Sequence, residues 1–331
     1  MSRTHKQIEI GNLVVKFGAD LKLLDLFDEI IGPAFFDDSL QRKYGDTSYL
    51  FHKPRLIKIK DEVCLIGRLV KNTVLLQQQI LVGNNLKSAS GSMPSSPSSL
   101  FVLVLSCHRL IFVKEHKGSP GTKEFKATFS WHLKKKYGQF IRSLSQILDP
   151  EKNVKPTLKE LRIKYPFPTV DLTPIGSEES LVSFVHKFKT LEVITASLLA
   201  TNDETDNADL FRDIRSSNDR IRSHKTTLRY ENTKTGLNKA EAIDQLTVLA
   251  KQGNHSLKLI GHDKNGEKLS GNNENFKVES TIESLPHDPK EAGETLFGHF
   301  EDLKKDKIIS IPSVEKSTTE RIKKIWDSAN K

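Results

Sequence analysis

Acidic residues are nearly missing from one quarter of this chain. Residues 63–148 contain two, Glu115 and Glu124, against twelve lysines and arginines. Those 86 residues carry a net charge of +10, while the other 245 hold 39 basic and 40 acidic side chains and balance. The whole-chain excess of +9 is therefore local. A cationic field this concentrated points to a polyanionic partner.

Other scarcities exclude whole classes. There are two cysteines, Cys64 and Cys107, both among apolar neighbours and without partners at ligand spacing. That excludes a disulfide framework or a cysteine-based zinc module and fits small buried hydrophobes in a reducing compartment. The longest strictly apolar run is residues 100–105, where a bilayer span takes about 20. The basic first residues are not followed by an apolar stretch, so neither a signal peptide nor membrane insertion is expected, and the expected location is cytoplasmic. No G-x-S-x-G, Walker or dinucleotide glycine pattern occurs, and Gly118-x-x-Gly121 reads as a tight turn. His255 and His262, or His287 and His299, do not have structural zinc spacing. No cofactor or metal is expected.

What is present reads as an α+β chain. Residues 7–17 and 48–81 are rich in short β-friendly pieces, and residues 100–105 and 110–113 suggest a strand pair. Residues 19–31 have helical spacing, with Gly32-Pro33 expected to end the helix. The Ser/Pro/Gly-rich residues 84–99 suggest a mobile surface loop. Residues 149–176 hold five of the thirteen prolines and read as a linker or extended arm. The expected organisation is a basic domain over residues 1–148, mainly an antiparallel sheet with a long basic amphipathic helix. The arm at 149–176 and a second α+β domain over 177–331, which could serve dimerisation, follow. In that second part Asp263-Lys264-Asn265-Gly266 marks a hairpin turn.

The helix expected over 122–148, with Thr122 as its cap, sits inside the cationic segment. Phe125, Phe129, Leu133, Phe140, Leu144 and Ile147 fall on one stripe, and Trp131, Lys135 and Arg142 on the opposite side with Lys134 beside them. Facing a duplex, Lys114, Lys117, Lys123, Lys134, Lys135, Lys136 and Arg142 would neutralise phosphates, and Trp131 would stack or wedge. Two alternatives stay open. Glu115-x-Lys117 after an apolar strand is also the pattern of a Mg²⁺-dependent nuclease. The basic face could instead meet the acidic surface of a protein partner, making the chain an adaptor.

Two blocks carry a further signal: SLFVLVLSCHRLIFVKEHKGSPGTKEFKATFSWHLK over residues 99–134 and SLKLIGHDKNGEKLSGNNENFKV over residues 256–278. Each combines apolar strands with a short turn, and together they cover about a fifth of the chain. This pattern resembles RexA-like phage-exclusion proteins, typified by the A protein of the lambda-phage Rex system, and the KwaB component of Kiwa defence. The resemblance implies a homodimeric, double-stranded-DNA-binding protein without sequence preference, acting in phage exclusion or anti-phage defence, with a further defence protein as a possible partner.

Overall fold

The computed structural model describes residues 5–18, 20–148, 153–199, 209–221, 223, 226–311 and 316–330. Strand β1 (Lys6–Phe17) sends Ile8 and Ile10 to one buried face and Leu13, Val15 and Phe17 to the other. A short β2 (Leu21–Lys22) leads to a 3₁₀ turn over Leu23–Leu26, a π turn over Phe27–Ile31 and helix α1 (Gly32–Phe36). The helix expected over 19–31 is thus broken into pieces. Gly32-Pro33 begins α1 instead of ending a helix, because a proline in a first turn lacks only an N–H that has no helical partner anyway.

The sheet continues through β3 (Arg42–Tyr44), β4 (Thr47–Ile59), β5 (Glu62–Val82), β6 (Asn85–Ser95), β7 (Ser98–Val104) and β8 (Arg109–Lys114). Its edge strand β14 (Ser280–Ile282) comes from far down the chain, and the main order is β14-β1-β8-β7-β5-β4-β3, antiparallel throughout. The segment expected to be a mobile loop is instead β6, paired with the outer half of β5. β6 and β7 keep one register, Thr73 opposite Ser95 and Val70 opposite Ser98, so a single long hairpin runs outward to Gly83-Asn84. Gly83 takes φ +61° at that tip, a conformation that glycine adopts without a Cβ clash. Composition suggested a loop, but the outer half of β5, directly before it in sequence, supplies the ladder partner that Ser and Pro do not supply for themselves.

Helix α2 (Thr122–Leu144) covers one face of the sheet. It is followed by α3 (Leu158–Lys164) and β9 (Pro168–Pro174). The expected arm at 149–176 is therefore corrected: residues 149–152 lie outside the described residues, and the rest folds onto the first sheet. β9 pairs with β1 over seven residues from Gly11–Pro174 to Phe17–Pro168. A strand pairing with an end proline on each side explains why a proline-rich stretch still joins the ladder.

The remainder forms α4 (Glu178–Val185), β10 (Phe188–Leu198), α5 (Asp209–Ile221), β11 (Thr226–Glu231), α6 (Lys239–Gln252), β12 (His255–Asp263) and β13 (Lys268–Asn272). These strands make a second antiparallel sheet in the order β11-β10-β12-β13, with α4 and α6 against it. The hairpin read at residues 263–266 connects β12 and β13. After β14 (Ser280–Ile282) come α7 (Pro289–Lys305) and α8 (Lys316–Ala329). Both return to the first sheet: Leu296, Phe297 and Phe300 of α7 fill its second face, and Ile322 and Ile325 of α8 join the α2 face. Coverage of both faces is why β7 and β8 are continuously apolar instead of alternating. The boundaries expected at 148 and 177 are thus not respected by the first sheet, which takes strands or helices from both ends of the chain.

The two sheets are tied by buried polar groups. Arg109 is fully buried, and its guanidinium donates to the carbonyls of Cys107 at 2.9 Å and Gln252 at 3.0 Å. The Asn12 amide donates to Asn254 Oδ1 at 2.9 Å. Arg109 was counted with the cationic segment, yet it is a clamp between the end of α6 and the first sheet. Both cysteines are free and buried, and burial pushes the Cys64 thiol up.

Candidate nucleic-acid interface

Helix α2 is anchored by its phenylalanines. Phe129 stacks on Phe35 with ring centroids 4.4 Å apart, and Phe125 meets Phe101 edge-on at 5.2 Å. A fully buried phenylalanine is worth about 2–3 kcal/mol, so this face fixes the helix against rotation. The stripe differs in its second half from the sequence reading. Tyr137 and Ile141 are buried, whereas Phe140 and Leu144 are only partly covered and Ile147 is 60% exposed. The helix ends at Leu144, so Ile147 has left the helical phase. Gly138 does not interrupt it.

Locking that face turns the opposite one outward. At about 100° per residue, Ala127, Trp131, Lys135, Gly138 and Arg142 share one line, with Lys123 and Lys134 on its flank. Lys123, Lys134, Lys135 and Arg142 are exposed, and Trp131 is half-buried. The Lys135 ammonium lies 5.2 Å from the Trp131 ring centroid. From Lys123 to Arg142 the line runs about 28 Å. One acid, Glu124, lies on this helix, and its carboxylate is turned back to accept the Gly121 N–H at 2.8 Å. That makes Gly121 the N-cap, one residue before the expected Thr122, whose hydroxyl donates to Glu9 instead.

Sequence reasoning missed a second contributor. α3 packs beside the C-terminal half of α2: Tyr137 donates its hydroxyl to the Tyr165 carbonyl at 2.8 Å, and Phe140 meets the Tyr165 ring at 5.2 Å. This brings exposed Lys159, Arg162 and Lys164 next to α2. It also brings Phe167, 52% exposed, to 5.7 Å from the Lys134 ammonium. The acid of α3, Glu160, is engaged with the backbone and hydroxyl of Thr157, each at 2.8 Å. Thr157-x-x-Glu160 was the available signal, a capping box inside the stretch read as an arm.

The eight expected contact residues do not all converge. Lys117 lies exposed in the loop before α2, and the exposed Lys114 side chain passes beside Gly121 at the N-terminus of α2. Lys136 is diverted: it turns to the α1 side and pairs with Asp37, whose carboxyl its hydrogen bond pulls down to about 2. Charge reading along the sequence cannot see this, because Asp37 lies 99 residues away. Arg68 and Lys126 are also spent, on Glu115 and Asp171, both at 3.0 Å. Lys114, Lys117, Lys123, Lys134, Lys135 and Arg142 pair with no carboxylate among the described residues.

Glu115, the other half of the nuclease pattern, has its carboxylate on Arg68 at 3.0 Å from both oxygens and on the Ser98 hydroxyl at 2.6 Å. No cluster of three or more metal-ligating side chains occurs among the described residues. No described helix is long and apolar enough to cross a membrane. No protein-family model matches the chain, and no curated protein matches it.

Proposed function

We propose that the chain is a double-stranded-DNA-binding protein without sequence preference, acting in phage exclusion or anti-phage defence. The observation that carries the binding is the outward edge of α2 and α3. It presents Lys123, Lys134, Lys135, Arg142, Lys159, Arg162 and Lys164 with Trp131 and Phe167 among them, and both acids of these helices are bound in caps. Ammonium and guanidinium groups spread over about 28 Å match a polyphosphate track, which spaces one charge every ~1.7 Å of duplex axis. Contacts from lysine and arginine to phosphate oxygens carry no base information, which supports affinity without sequence choice. The long basic helix is thus the binding element, and the defence setting is carried by the resemblance of residues 99–134 and 256–278 to the RexA-like and KwaB-like proteins.

The test is duplex binding by charge variants. Lys134→Glu with Lys135→Glu is expected to weaken binding to a duplex of about 30 base pairs by roughly 30-fold or more at ~0.1 M salt. Lys136→Ala, which removes a lysine already paired with Asp37, is expected to leave affinity within about twofold. Equal losses in both variants, or none in the first, would overturn the assignment.

A further inference from the structure

The outer hairpin of the first sheet carries a single charge, exposes apolar side chains and is open along an edge. β5 pairs with β4 only as far as Asn72, so from Val74 to Val82 its second edge pairs with no described strand. Ten residues per strand project about 33 Å. Between residues 72 and 97 the only charged side chain is Lys87. Val74, Leu75, Leu76, Leu81, Leu86 and Met93 are each between 47% and 70% exposed. A two-stranded ribbon with such surface is marginal in water by itself. Edges open to water are ordinarily blunted by charge, proline or bulges on the edge strand. Residues 74–82 have no charge and no proline, and the register shift sits toward β6.

The sequence of this edge says what covers it. Residues 74–82 read V-L-L-Q-Q-Q-I-L-V, a near-palindrome centred on Gln78. Laid antiparallel against itself about Gln78, the strand puts Val74 opposite Val82, Leu75 opposite Leu81, Leu76 opposite Ile80 and Gln77 opposite Gln79. Side chains of like chemistry meet on both faces, which is what an isologous two-fold contact requires. We propose that two copies of this chain join through β5, residues 74–82, to form a four-stranded sheet β6-β5-β5-β6 with its two-fold at Gln78. The ribbon's single lysine does not suit a phosphate track, and three central glutamines do not suit a bilayer core, where unpaired polar groups are costly. The contact forms a main-chain ladder of the kind seen when one strand extends another sheet, and the glutamines sit where they can bond across the axis. This inference does not rest on the DNA-binding reading.

The register makes the experiment specific. Sedimentation of the full chain is expected to show a dimer. Leu76→Lys with Ile80→Lys puts lysine opposite lysine at two places and is expected to raise the dimer dissociation constant by about 100-fold. Leu76→Lys with Ile80→Glu puts lysine opposite glutamate and is expected to restore the dimer. Gln78→Cys is expected to form an intermolecular disulfide readily, since facing residues lie about 4.5–5.5 Å apart at Cα. Cys64 and Cys107 are buried and leave the background low. A monomeric unmodified chain, a dimer untouched by the double-lysine variant, equal behaviour of the two charge variants, or no crosslink at position 78 would each overturn the proposal. So would flotation of the unmodified monomer with phosphatidylcholine vesicles.

Discussion

Lys135 and Lys136 are neighbours in sequence with opposite fates. One leans over Trp131 on the outer edge of α2, and the other pairs with Asp37 on the inner side. A helix turns about 100° per residue, so adjacency in the chain guarantees that their environments differ. His132 shows the same effect at a titrating group. Its ring is buried, Nδ1 lies 2.9 Å from the Ala34 carbonyl, and Phe51 meets it edge-on. Burial brings it down to about 4 from its ordinary 6.5. The unfolded chain therefore binds the proton first as pH falls. The neutral His132 contribution is complete above about pH 6.5 and is lost as pH drops toward 4, by up to about 3 kcal/mol. Urea midpoints measured from pH 7 to 4 are expected to fall through that window in the unmodified chain and to fall less in His132→Gln.

Among the elements, α7 shows how closely the layers are set. A Cβ at Gly293 would stand 2.4 Å from the Ile66 side chain of β5. Gly293→Val is expected to lower stability by about 1–3 kcal/mol through overpacking, read as a shift in thermal midpoint. The α2 face tolerates truncation no better. Phe125→Ala is expected to cost about 3–5 kcal/mol, because the ring touches Phe35, Phe51, Phe101 and Phe112. Legibility of elements followed periodicity. The strands at 100–105 and 110–113, the hairpin at 263–266 and the start of α2 could be read because their own residues specify them. β6 and β9 could not, because Ser- and Pro-rich stretches become strands only against a partner. The Gly83-Asn84 turn directly after the strand-like residues 74–82 was the available signal for β6.

For the whole molecule, the consequence is that the first sheet cannot be separated at residue 148. It takes β9, β14, α7 and α8 from beyond that point. A fragment of residues 1–148 is therefore expected to lack a cooperative unfolding transition by circular dichroism, whereas the full chain shows one. The same long-range folding decides how much of the candidate interface could be read. The exposed lysines of α2 were visible in the missing acids, but α3's basic residues joined them through the contacts of Tyr165 with Tyr137 and Phe140, which sequence alone does not show. Lys136 left the expected contacts through Asp37, and Lys126, Arg68 and Arg109 of the same cationic segment are spent on partners elsewhere in the fold. The measurement that bears most directly on the proposed binding edge is the salt dependence of duplex affinity. The logarithm of the binding constant against that of salt concentration should fall with a slope near −5 for the unmodified chain, and be shallower by about 2 when Lys134 and Lys135 are both alanine. A slope near zero, or one unchanged by that pair of substitutions, would contradict the account.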